Sequence, residues 1–165
     1  MTAHSLSALA GLHLRSRPGT YLLLFENRRK QTVTIGRLGE HCLPVGFYCY
    51  IGSAFGPGGV RARVRHHLNM ATKPHWHLDY VRPRLAFREV WCQYDVRDEH
   101  NWALQTAANM TIPIPGFGAA DCACNSHFFY LSGKPDVAQF QTTWRDAICT
   151  KQQQISFCTI EQACG

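Results

Sequence analysis

Acidic residues are scarce in this chain, and long apolar runs are missing. Its 165 residues hold 11 Asp and Glu against 17 Lys and Arg, a formal net charge of +6. No stretch approaches the roughly 20 apolar residues that a membrane-spanning helix needs. The densest, Tyr21-Leu22-Leu23-Leu24-Phe25, is far too short. The N-terminus shows no basic patch leading into an apolar core and a cleavage site, so no secretory signal is expected. Internal repeats and low-complexity tracts are also missing. Without a sign of export, the eight cysteines are expected to be reduced thiols of a cytoplasmic protein rather than a disulfide frame. What the chain does have is apolar substance: 45% hydrophobic and 12% aromatic residues, which suits one domain with a real core and is too little for two.

The positive charge is unevenly spread. Between Arg15 and Arg97 there are fourteen Lys and Arg and five Asp and Glu, so the rest of the chain is net acidic. A basic segment of this kind suits a polyanion such as nucleic acid, although a modest excess is also common on ordinary soluble surfaces.

Pattern and punctuation divide the chain into strands and helices. Pro18-Gly19 leads into a strand over 21–26, and alternation around Val33 and Ile35 marks a second over 31–35. An aromatic-rich strand follows over 47–51. Next comes the Gly-rich loop 52–59, then a helix over 60–69 that ends near Lys73-Pro74. Residues 75–81 fit either a helix or a strand. A strand over 85–94 precedes a helix from Glu99 to about Met110, with Asp98 as its N-cap. A Pro/Gly loop occupies 112–118, and 125–131 reads as a last strand or turn. These elements make a domain over 15–131. Residues 132–165 form a C-terminal extension in which Val137, Phe140, Trp144 and Ile148 recur at helical spacing, so it is expected to be helical and packed on the domain.

Two helices carry chemistry-bearing residues in phase with an apolar stripe. On the first, Val60, Val64 and Leu68 form the stripe; Arg61 and Arg65 flank it on one side, Arg63 and His67 on the other. On the second, Trp102, Ala103, Thr106, Ala107 and Met110 share a face with Glu99. A carboxylate directed inward there must be paired, protonated or bound to a cation. The plainer alternative is a first-turn acid that complements the helix dipole.

Gly19-Thr20-Tyr21, Tyr50-Ile51-Gly52, Val60-x-x-Arg63-Val64-x-x-His67 and the helical Glu99, in this order, resemble the signature of GIY-YIG nucleases. Gly46-x-Tyr48-x-Tyr50-x-Gly52-Ser53-Ala54, Gly58-Gly59 and His75-Trp76-His77-Leu78-Asp79-Tyr80 are closer still to the branch known as DUF123, or Uri-superfamily endonucleases. Gly116-Phe117-Gly118 and Asp121-Cys122-x-Cys124-x-Ser126-His127-x-Phe129-Tyr130 extend that match, which covers roughly 18–131. No tripeptide is specific alone; the ordered set is. The resemblance implies an α/β (α+β) fold with a small, mainly antiparallel sheet flanked by helices. It also implies a divalent-metal-dependent endonuclease that hydrolyses phosphodiester bonds, most readily in DNA. Glu99 matches the metal ligand, for Mg²⁺ or Mn²⁺, and Arg63 the phosphate-stabilising arginine. Tyr21 is the favoured candidate to orient or deprotonate the attacking water, Tyr50 to position it, and His67 to relay the proton. Arg61, Arg65, Ser53 and Lys73 are the expected nucleic-acid contacts. For any one of these tyrosines, a core-packing role is the plainer reading.

The chain departs from the family pattern in several places. Thr20 stands for Ile. The interval from Tyr21 to Tyr50 is long, which predicts that an extra strand around Val33–Ile35, or its loop, separates the two motifs. His100 follows Glu99 where the closer branch often has Cys, and Ala119-Ala120 replaces Cys-Ser. Ser126 and His127 are the first places to look for the family's late Asn.

A second set of metal-ligand types comprises His75, His77, Asp121, Cys122, Cys124 and His127. Cys-x-Cys is not zinc-finger spacing, so packing and hydrogen bonding are favoured over a structural Zn²⁺. Two other functions remain in play: a non-catalytic nucleic-acid-binding module of the same fold, and a zinc-stabilised interaction domain. Neither a membrane nor a small-molecule cofactor is expected as a partner.

Overall fold

A computed structural model describes residues 13–133, together with the backbone of a strand at Ser156–Thr159. Among the described residues, seven strands and three α-helices run in the order β1 (Gly19–Asn27), β2 (Gln31–Thr34), β3 (Glu40–Leu43), β4 (Gly46–Ala54), α1 (Gly59–Leu68), α2 (His77–Val81), β5 (Ala86–Tyr94), α3 (Glu99–Ala107), β6 (Phe128–Leu131) and β7 (Ser156–Thr159). Five of the strands form one sheet in the order β6-β4-β1-β5-β7, and every pairing in it is antiparallel. The α+β architecture expected from the sequence is therefore the one observed.

The central strand explains the run Leu22-Leu23-Leu24. β1 lies between β4 and β5 and is covered on both faces, so both of its side-chain rows must be apolar. Tyr21, Leu23 and Phe25 face α1 and α2 with Val60, Val64, Leu68, Leu78 and Val81. Leu22 and Leu24 face α3 with Ile51, Trp91, Trp102 and Ala103. Each fully buried aliphatic side chain contributes about 1.5–3 kcal/mol. The stripe at 60, 64 and 68 is thus the buried face of α1, as its spacing predicts. On α3 the prediction holds for Trp102, Ala103, Thr106 and Met110, while Ala107 is exposed.

The long interval between the tyrosine motifs does not place a strand between them. β2 and β3 pair only with each other as a separate two-stranded sheet. β1 and β4 are direct neighbours, with Tyr21 opposite Gly52 and Leu23 opposite Tyr50. The insertion is a hairpin looped out of the main sheet. Residues 77–81, which fit either helix or strand, form the short α2. The helical spacing over 137–148 and the segment 1–12 lie outside the described residues. Of the C-terminal extension, β7 pairs antiparallel with β5, Trp91 opposite Phe157.

α1 begins without a Ser, Thr, Asp or Asn cap. Its first amides are satisfied by the lead-in to β1: Val60 N donates to Arg17 O at 2.8 Å and Arg61 N to Arg15 O at 3.2 Å. Gly59 makes this approach feasible. Its φ is +57°, and a Cβ there would sit 2.2 Å from Arg17 O.

Candidate active site

Antiparallel register brings the two tyrosines together. Positions 21 and 23 of β1 share a face with 52 and 50 of β4, so Tyr21 and Tyr50 project toward α1. There His67, on the last turn of α1, meets both. Tyr21 Oη and His67 Nε2 share a hydrogen bond of 3.0 Å, and the Tyr50 ring packs edge-on to the imidazole at 5.5 Å. Gly52 is required by this geometry, because a Cβ at that position would lie 2.5 Å from Tyr21 Oη. The glycine of the second tripeptide thus makes room for the phenol of the first.

Arg63 lies one turn back on the same edge of α1. Its guanidinium sits over the face of Trp76, 4.5 Å from the ring centroid, a cation–π contact that holds a long flexible side chain in place. Arg63, His66 and Trp76 line a 210 Å³ groove together with Gly56 and Pro57 of the preceding turn. Asp79 braces Trp76, its carboxylate accepting the backbone N–H groups of His75 and Trp76 at 2.9 and 3.0 Å.

Glu99 opens α3, whose body lies on the opposite face of the sheet. Thr20 fixes the position of that helix start. Its buried hydroxyl donates to Val96 O at 2.9 Å and accepts from Asp98 N at 2.8 Å. One side chain, adjacent to Tyr21, therefore ties β1 to the residues on either side of Arg97, just before Glu99. The Glu99 carboxylate is half-buried and has no ion-pair partner among the described residues.

The electrostatics link these groups. Burial pushes the Tyr21 phenol well above its usual value; Tyr50 adds to that, Arg63 opposes it and Glu99 adds a smaller upward push. Burial likewise takes Tyr50 up to about 12, with Arg63 opposing and Glu99 contributing. The charges at 63 and 99 therefore both act on both phenols. Burial takes His67 down to about 3 against the pull of Asp79, with His66 and Arg63 adding to the depression. The buried imidazole is thus neutral in ordinary buffers, and its Nδ1 has no hydrogen-bond partner among the described residues.

The remaining expected residues fall into separate groups. Arg61 and Arg65 are exposed on the outer edge of α1, Lys73 is exposed after it, and Ser53 is half-exposed near the end of β4. The second metal-ligand set does not assemble as the sequence suggests. His77 Nδ1 is occupied by the Gly118 N–H at 3.0 Å, His75 packs against Trp76, and Asp121 is exposed. None of the three reaches the cysteines. Cys122 and Cys124 instead meet His100, which sequence reasoning registered only as a departure from the family pattern. Burial and the neighbouring Cys122 thiol push the Cys124 thiol up to about 12. His127 is buried, which lowers its imidazole below the usual value against the pull of Glu99, and its Nε2 has no partner among the described residues. Ser126 is structural: its hydroxyl donates toward Ile114 O at 3.1 Å and accepts from Phe128 N at 3.0 Å. Sequence reasoning also missed Trp76 as the support of Arg63 and Thr20 as the anchor of α3.

Fold and site together define an α+β domain with a buried phenol–imidazole pair, a braced arginine and a half-buried carboxylate around one end of an antiparallel sheet. The chain belongs to the family described as a domain of unknown function, DUF123, whose model matches residues 20–149. Comparison with curated proteins and with solved structures finds no match. Among the described residues, no helix is long and apolar enough to cross a membrane.

Proposed function

We propose that this protein is a metal-dependent endonuclease of the GIY-YIG type, hydrolysing phosphodiester bonds in nucleic acid, with DNA as the first substrate to test. The observation that carries this reading is the meeting of Tyr21 from β1 and Tyr50 from β4 on His67 of α1, with the Tyr21–His67 hydrogen bond at 3.0 Å and the braced Arg63 one turn back on the same helix.

The donor set fits a hard divalent cation. Glu99 offers a carboxylate with no ion-pair partner among the described residues, and Mg²⁺ and Mn²⁺ are commonly held by one or two carboxylates plus water. When bound, such a cation supplies Lewis acidity to the phosphate and the leaving oxygen. The protein's own groups do the rest. Arg63, held over Trp76, offers two N–H donors to phosphate oxygens. Tyr21 accepts the proton of the attacking water as its own proton passes to His67 Nε2, so no free phenolate forms in the buried site. Burial makes the resting His67 a weak base, so this transfer depends on the incoming phosphate charge, which raises its basicity. Tyr50 orients the water. General acid–base assistance of this kind is worth roughly 10²–10⁴ in rate.

The test is incubation of the purified full chain with Mg²⁺ or Mn²⁺ and end-labelled single-stranded, duplex and branched DNA, and RNA. Cleavage of at least one substrate, reduced roughly 10²–10⁴-fold in Tyr21→Phe, is the expected result. Absence of cleavage on all of them overturns catalysis. The exposed Arg61, Arg65 and Lys73 favour as second reading a binding module, in which Tyr21→Phe and Glu99→Ala leave salt-sensitive binding intact and no turnover is seen.

A further inference from the structure

We propose that His100, Cys122 and Cys124 form a binding site for one thiophilic divalent cation, Zn²⁺ in the first instance, separate from the hard-cation site at Glu99. The inference does not rest on the nuclease reading; it stands on donor chemistry and geometry alone.

The three donor atoms converge. His100 Nδ1 lies 3.0 Å from Cys124 Sγ and 3.4 Å from Cys122 Sγ, and the two sulfurs are 3.0 Å apart. All three can face one point within 4.8 Å of each other. Tetrahedral zinc, with bonds of about 2.3 Å to sulfur and 2.0–2.1 Å to nitrogen, sets such donors roughly 3.5–3.8 Å apart. Small side-chain rotations that spread the triad by less than about 1 Å therefore seat the ion. Two thiolates would neutralise a dication and the imidazole adds a borderline donor, a set that selects zinc over magnesium. The fourth position is left for solvent.

The loop also needs such a tie. Residues 119–125 carry no regular secondary structure and no large apolar side chain. They reach α3 through the thiol–imidazole contacts and a long Cys124 Sγ–His100 O approach of 3.9 Å. A cation held there joins this loop to α3 across 22 residues of chain. It fixes the residue next to Glu99 and the loop that leads into the buried His127.

The experiment uses the full chain, purified under reducing conditions, stripped with chelator and titrated with Co²⁺ and with Zn²⁺ in the presence of excess Mg²⁺. One equivalent of Co²⁺ is expected to bind with thiolate-to-cobalt charge-transfer absorption, and Zn²⁺ to displace it where Mg²⁺ does not. The Cys122→Ser/Cys124→Ser double variant should lose the band and weaken Zn²⁺ binding by at least about 100-fold. His100→Ala, an exposed change, should weaken it by about 10-fold or more, and His100→Cys should retain it. A wild-type chain with free thiols and no cobalt–thiolate band overturns the proposal. So does a band that survives in the double variant, or a Cys122–Cys124 disulfide in the reduced preparation.

Discussion

Tyr21, Gly52 and His67 show how much one buried contact governs. The phenol and imidazole are 46 positions apart in sequence and 3.0 Å apart in space. Gly52→Ala pushes a methyl group into that contact; overpacking of this type costs about 1–3 kcal/mol. It should lower the melting temperature and cleavage together. Tyr21→Phe instead removes the hydroxyl, leaving the packing intact but the buried His67 Nε2 unpaired, so stability should fall by about 1–3 kcal/mol in urea melts while cleavage falls far more. His67 also makes stability depend on pH. Its folded-state value is depressed to about 3 from 6.5, so the unfolded chain binds a proton that the folded chain refuses. The stabilisation is fully present above about 6.5 and is lost as pH falls toward 3. Between pH 6.5 and 5 the loss from this residue is about 2 kcal/mol. Urea melts at the two pH values should show it, with a smaller pH dependence in His67→Phe; an unchanged slope in that variant contradicts the burial argument.

At the scale of elements, Thr20 carries the most consequence for its size. Thr20→Val keeps the β-branched shape and deletes the hydroxyl that holds Val96 O and Asp98 N. Loss of those bonds in a buried setting costs about 1–3 kcal/mol. It also loosens the start of α3, so turnover should fall more than substrate binding, measured as kcat against KM. What was legible beforehand follows the same division. α1 and α3 were readable because their apolar residues recur at helical spacing, and β1, β4 and β5 because they are dense in aliphatic and aromatic residues. β3 was not seen: Glu-His-Cys-Leu has no β-branched residue, and the strand exists only by pairing with β2. The hairpin's position outside the main sheet was equally hidden, since sequence spacing records an insertion but not the side on which it lies. Of the site, Tyr21, Tyr50, Arg63, His67 and Glu99 were named from their order along the chain. The Arg63–Trp76 stacking, the Thr20 anchor and the His100–cysteine triad join distant segments, and no local pattern reports them. The adjacency of His100 to Glu99 and the Cys-x-Cys spacing were the only signals for the triad.

Across the whole molecule, the positive charge between Arg15 and Arg97 reaches the groove at α1 through Arg63. Arg61 and Arg65 lie on its exposed edge, while Arg63 is turned inward onto Trp76. If the partner is nucleic acid, binding should weaken linearly in log–log salt plots, and each of Arg61→Ala and Arg65→Ala should reduce that slope by about 1. Unchanged slopes in both variants would remove that edge from the interface. Glu99 asks a different question, because it sits on the far helix and adds negative charge to the same site, where it can aid polyanion binding only through a cation. The most direct test of the proposed activity is therefore Glu99→Ala assayed with Mn²⁺ beside the wild-type chain on the same panel of nucleic acids. The account predicts loss of cleavage by at least about 10²-fold with nucleic-acid binding in chelator unchanged or tighter. Undiminished cleavage by Glu99→Ala would contradict it.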